Sequence, residues 1–111
     1  AYNPSMNVLY ANSVQIDQHL ILDVTTDPST ASDRAHVYAK DVASSAEVFV
    51  RDEAGNVTQI SPHNSQGEWQ YFSKNMRTGK VVKVNMEKMI KRLEEITGES
   101  FLQEWYEEPD V

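Results

Sequence analysis

The sequence predicts an α+β domain, mainly antiparallel β. About six short strands form a sandwich- or meander-like arrangement, preceded by an extended N-terminal arm and followed by a C-terminal amphipathic helix. Three observations carry this. Short runs of alternating apolar and polar residues are separated by Gly, Pro, Asn and Asp clusters, the rhythm of hairpins. One phrase occurs twice: Val37-Tyr38-Ala39-Lys40-Asp41 is echoed eleven residues later by Val48-Phe49-Val50-Arg51-Asp52. Both copies are rich in the β-branched and aromatic residues that suit a pleated, half-buried surface. From Asn85 onward the apolar residues change period, from two to that of a helix.

The elements follow in order. Residues 1–13 contain Pro4, Asn3, Asn7 and Asn12 and only one short apolar run, Val8-Leu9-Tyr10, and read as an extended arm. Residues 14–84 form the β domain. Its first strand is expected over Val14 to Val24, with Val14, Ile16, Leu20 and Leu22 on one face and Gln15, Asp17 and His19 on the other. Thr25 to Arg34 is a polar loop broken by Asp27-Pro28. The repeated phrases make strands at about 35–42 and 46–52. Gly55 sits where a short hairpin loop needs positive φ, so the second phrase should pair antiparallel with Asn56 to Ile60. Glu68 to Ser73 and Lys80 to Val84 form another hairpin around Asn75-Met76-Arg77-Thr78-Gly79. Residues 85–111 form the helical segment and acidic tail. Asn85 is a plausible N-cap, Gly98 a stop, and a second short helical piece is expected over Glu99 to Tyr106 before Pro109.

Composition narrows the function classes. Ten Lys and Arg against seventeen Asp and Glu give a net charge of -7. That balance disfavours nucleic acid, whose phosphates call for a basic face, and docking on an anionic membrane surface. There is no cysteine, hence no disulfide, thiolate metal site or cysteine nucleophile. No apolar run reaches the length of a membrane helix, so membrane insertion is not expected. The small first residue, Ala1, fits removal of an initiator Met, and we expect the 111 residues to be a whole gene product. Asn56-Val57-Thr58 matches a glycosylation sequon but reads as a turn.

No catalytic, cofactor-binding or metal-binding residue is assigned. The chain lacks HExxH, GxSxG, Rossmann and Walker patterns. Thr78-Gly79-Lys80 fails as a phosphate loop, since Lys74 stands where the first Gly belongs and Val81 where Ser or Thr belongs. Asp52/Glu53 and Glu94/Glu95 are adjacent acids, which do not flank one substrate. His19, His36 and His63 are scattered and read as ordinary polar residues; the sharper alternative is a homotrimer gathering one histidine per subunit about a metal on its axis. Trp69 and Tyr71 share a strand face, as core or as surface-binding aromatics. Met86, Met89, Ile90, Leu93 and Ile96 form a helical stripe that either covers the sheet or makes a seam between subunits, since 86, 89, 93 and 96 follow a/d spacing.

One stretch also carries a resemblance. Asp27-Pro28-Ser29-Thr30, then Val37-Tyr38-Ala39-Lys40-Asp41, Val48-Phe49-Val50-Arg51-Asp52 and Gly55-Asn56-Val57-Thr58-Gln59-Ile60-Ser61, resembles a pattern in bacteriophage tail-fibre and other virion structural proteins. Ser61-Pro62-His63-Asn64, Gly67-Glu68-Trp69 and Asn85-Met86-Glu87-Lys88 are similar to the ends of uncharacterised phage proteins. Roughly two thirds of the chain is covered. The resemblance implies a non-enzymatic virion protein, assembled in the host cytoplasm, that forms a homo-oligomer, commonly a homotrimer, and contacts capsid or tail subunits. Tail fibres are usually long; a complete product of this size fits a short fibre or tip, or a capsid-decorating (cement) protein. The arm would then lie across a neighbouring subunit and add a strand to its sheet. A carbohydrate- or receptor-binding module is the alternative class, and a small polysaccharide hydrolase the remote one.

Overall fold

The computed structural model describes residues 2–3 and 8–110. It is mainly antiparallel β, with one helix. Strands β1 (Tyr2–Asn3) and β2 (Val8–Leu9) pair antiparallel as a two-residue ladder of their own. The main sheet contains β3 (His36–Val42), β4 (Ser45–Arg51), β5 (Asn56–Gln59), β6 (Gln70–Asn75) and β7 (Val81–Asn85). Its order is β3-β4-β5-β6-β7, a meander in which every strand pairs with its chain neighbour. Helix α1 (Met86–Thr97) follows β7 directly.

The repeated phrase is the heart of this sheet. β3 and β4 pair so that Tyr38 faces Phe49, Ala39 faces Val48 and Val37 faces Val50. The Tyr38 and Phe49 rings stack at 5.9 Å, and the Lys40 ammonium lies 5.4 Å from the Phe49 ring centre. Phe49, 1% exposed, and Val57, 2% exposed, complete the small core with Tyr38; half-buried Val42 and Phe72 pack against it.

The turns explain the register. Ala43 and Ser44 both have positive φ, 50° and 68°, and connect β3 to β4 as the two residues of a hairpin loop. Gly55, at φ 92°, closes the next hairpin, where Asp52 accepts from the Asn56 backbone N–H at 2.8 Å. The Asn75 side-chain oxygen accepts from the N–H groups of Arg77 and Thr78 and shapes the β6–β7 turn. These last two turns dock: Met76 N–H donates to the Gly55 carbonyl at 2.7 Å, and the Arg77 guanidinium donates to the Glu53 carbonyl. Asn85 caps α1 by accepting from Lys88 N–H at 2.9 Å, and Gly98 ends it in the left-handed conformation at φ 72°.

Two expectations are corrected. Residues 14–23 form no strand among the described residues; the segment touches the sheet through one parallel bridge, Val24 to Ala39, with Thr25 N–H donating to the Ala39 carbonyl at 2.8 Å. Its alternation is that of a strand, but a strand needs a partner edge. The six expected strands therefore become five in the main sheet. Residues 99–106 form no helix either. After Gly98 the Glu94 carboxylate accepts from the N–H groups of Phe101 and Leu102, which ties the segment back to the end of α1. A piece this short cannot offset the cost of helix nucleation.

Candidate functional site

The two faces of the sheet differ in cover. One carries Tyr38, Phe49, Arg51, Val57 and Gln59, all buried. The loop of residues 25–34 lies over it and is tied down by Asp27, whose carboxylate accepts from the Tyr38 hydroxyl at 2.7 Å and from Lys40 Nζ at 2.9 Å. Burial works against ionisation of Asp27, but the bonds from Lys40 and Tyr38 outweigh it and hold the carboxyl below its ordinary value. Burial, with the Asp27 charge beside it, pushes the Tyr38 phenol well above its usual range. Thr30 accepts from Arg51 Nη2, yet Arg51 Nε, in a side chain 5% exposed, has no partner.

The opposite face is covered only in part: Ala39, 4% exposed, is buried on it, and Val50 and Val84 are half-buried. Alternation places Val37, Val50, Tyr71, Val82 and Val84 there, and Tyr71 stands directly across from Val84. Trp69 precedes β6 in an isolated bridge to His63, two positions from Tyr71 and therefore on the same side. Both aromatics are exposed. The fold thus brings Trp69 and Tyr71 together, as an uncovered part of the sheet surface.

The helical stripe is also uncovered. α1 buries none of its residues; Met86 and Ile90 are half-buried, while Met89, Leu93 and Ile96 are exposed. Lys91 pairs with Glu87 and with Glu104 of the C-terminal tail, at 3.4 and 3.2 Å, so tail and helix are joined through charge. Among the described residues four apolar side chains are buried, whereas twenty large hydrophobic ones are exposed, in the arm, on the free sheet face, on α1 and in the tail.

A polar cleft of about 490 Å³ lies at the end of the sheet that holds the Ala43-Ser44 turn. Asn64, Gln66, Glu68, Gln70, Lys83 and Asn85 are among its lining. Glu68 accepts from the Asn64 and Asn85 amides, which hold its carboxyl below the ordinary value. A carboxylate kept ionised in this way is not poised as a general acid near neutral pH. It is the one acidic residue of that lining, without the second carboxylate that glycoside hydrolysis uses.

The three histidines lie apart: His19 in the unpaired 14–23 segment, His36 on β3, His63 at the bridge to Trp69. Among the described residues no group of His, Asp or Glu is placed to hold a metal, and no helix is long and apolar enough to cross a membrane. No family model, curated protein or solved structure matches the chain.

Sequence reasoning singled out Trp69, Tyr71 and the helical stripe but missed three features. The Ala43-Ser44 turn lacks the Gly or Asn that advertises positive φ. Asp27 and Arg51 act through partners distant in sequence, Tyr38 and Lys40 for the first and Thr30 for the second. That residues 14–23 stay unpaired has no local signal, since the meander leaves the outer sides of β3 and β7 open to a further strand.

Proposed function

We propose that this chain is a non-enzymatic structural subunit that works by assembling with copies of itself, as a homotrimer, on a bacteriophage particle. It acts there as a short tail-fibre-like or capsid-decorating subunit in contact with capsid or tail proteins. One observation supports assembly above the others. The chain exposes 9140 Å², where a compact protein of its mass exposes about 6,200 Å². Its radius of gyration, 18.2 Å, likewise exceeds the roughly 13 Å of a compact domain. With twenty large hydrophobic side chains among the exposed residues, surface of this kind fits an interface.

The virion assignment rests on the resemblance of residues 27–61 to phage structural proteins. Sedimentation should give a trimer; a monomer throughout the micromolar range would overturn the assembly reading. An antibody against the chain should label phage heads if it decorates and tails if it is a fibre, and unlabelled particles would sink the virion reading. The exposed pair Trp69 and Tyr71 favours a second reading, a carbohydrate- or receptor-binding surface. A glycan array showing binding by the wild type and none by Trp69→Ala would favour it.

A further inference from the structure

We propose that residues 14–24 of one copy add a strand to the β7 edge of a neighbouring copy, so that copies join head to tail. The inference rests on the homo-oligomer reading and specifies how that oligomer is held.

The donor is a strand without a ladder. Val14, Ile16, Leu20, Leu22 and Val24 fall on one side of an extended chain, with Gln18 the one polar member. Ile21 is 86% exposed, and the backbone is unpaired until Val24. The acceptor is the last strand of the meander. β7 pairs with β6 on one side, and among the described residues nothing bonds to its other side. Val81 and Val82 are exposed on it. The edge of β3 at the opposite side of the sheet is already met by Val24 and Thr25.

That anchor decides which copy receives the strand. β3 and β7 are separated by four strand spacings, about 19 Å. The chain leaves β3 at Val24 with no spare residues, so its own β7 is out of reach of the segment as a whole. A neighbouring copy whose β7 edge lies against this β3 edge meets the segment directly. Donor and acceptor at opposite edges make a heterologous contact, which closes into a ring when the rotation allows. Each copy in a ring has two interfaces. The excess exposed area, about 2,900 Å², is more than one standard interface takes from a partner, about 800 Å².

Charge agrees. Residues 8–24 carry Asp17 and Asp23 and no Lys or Arg, while β7 contains Lys83 and is preceded by Lys80. In a chain of net charge -7, copies repel unless acids of one meet bases of the next.

The absence of cysteine makes the test clean. The double variants Ile16→Cys/Val82→Cys and Ile21→Cys/Val82→Cys, oxidised at micromolar concentration, should give covalent ladders beyond the dimer, which neither single variant can give. Ile21→Pro, which removes a ladder donor, should weaken association by at least about tenfold while leaving the sheet's circular dichroism in place. An oligomeric wild type with no ladder from either double variant would overturn strand donation and leave assembly standing. A fast-migrating internally crosslinked monomer would overturn it too, by placing residues 14–24 on their own sheet. A monomeric wild type would instead remove the homo-oligomer reading beneath it.

Discussion

Asp27 is the residue on which the covered face depends. Its carboxylate joins a loop to two residues of β3, and its folded pKa is depressed, so its contribution is present above the unfolded value, about 3.9, and fades as pH falls through the lower folded value. Asp27→Asn should lower stability at neutral pH by about 1 kcal/mol. The two proteins should converge in urea midpoint as pH drops below about 4. A gap that persists at pH 2 would show that the loop is held by something other than this ion pair. Arg51 presents the reverse case, a buried cation with one bond to Thr30 and an unpartnered Nε. Replacing it by Met should leave the urea midpoint equal or higher. A loss of more than about 2 kcal/mol would mean the guanidinium is better satisfied than its geometry shows. Ala43 and Ser44 each hold a left-handed conformation that costs roughly 1–2 kcal/mol without Gly or Asn. Asn at 43 with Gly at 44 should therefore raise the melting temperature.

Among the elements, the five strands of the meander were legible in sequence to within two residues or so, because each pairs with its chain neighbour across a short turn. Turn residues and alternation are local signals, and this topology asks for nothing else. The helix was legible for the same reason: Asn85 and Gly98 bracket a periodic stripe. The misreadings fall where pairing is not local. Residues 14–24 satisfy every local criterion for a strand and, among the described residues, pair within the chain only at Val24. Residues 99–106 carry Phe101, Leu102 and Trp105 at helical spacing, yet a piece of two turns is too short to offset nucleation, and its start is tied back to Glu94 of α1 instead. The candidate surface was half legible. Trp69, Tyr71 and the α1 stripe were named, but whether they face a core or solvent depends on what covers them, and alternation is silent on that. α1 makes the matter testable. Leu93 and Ile96 are 44% and 66% exposed, so Leu93→Glu with Ile96→Glu should leave the monomer's stability within about 0.5 kcal/mol. If the stripe is a subunit seam, the same pair should shift the sedimentation profile toward monomer.

At the scale of the whole molecule, extents of 59 × 40 × 27 Å describe a slab with arms rather than a closed body. Two aromatics, a valine and the residues packed on them make a small core for 111 residues. A native state completed by partners gains stability by mass action, so the thermal midpoint should climb with protein concentration. A midpoint unchanged over a hundredfold range of concentration would mean that the single chain is as stable as it becomes.

The meander's order has a temporal side. Each strand finds its partner next to it along the chain, so contacts are short-range and pairing proceeds by adding one hairpin at a time. In chain order β3 and β4, with Tyr38 and Phe49, precede β7 and emerge ahead of it. The outer edge of the sheet is finished last, one strand before the helix. An emerging polypeptide therefore displays residues 14–24 before it offers a completed β7 edge, an order of events that delays premature joining between unfinished chains.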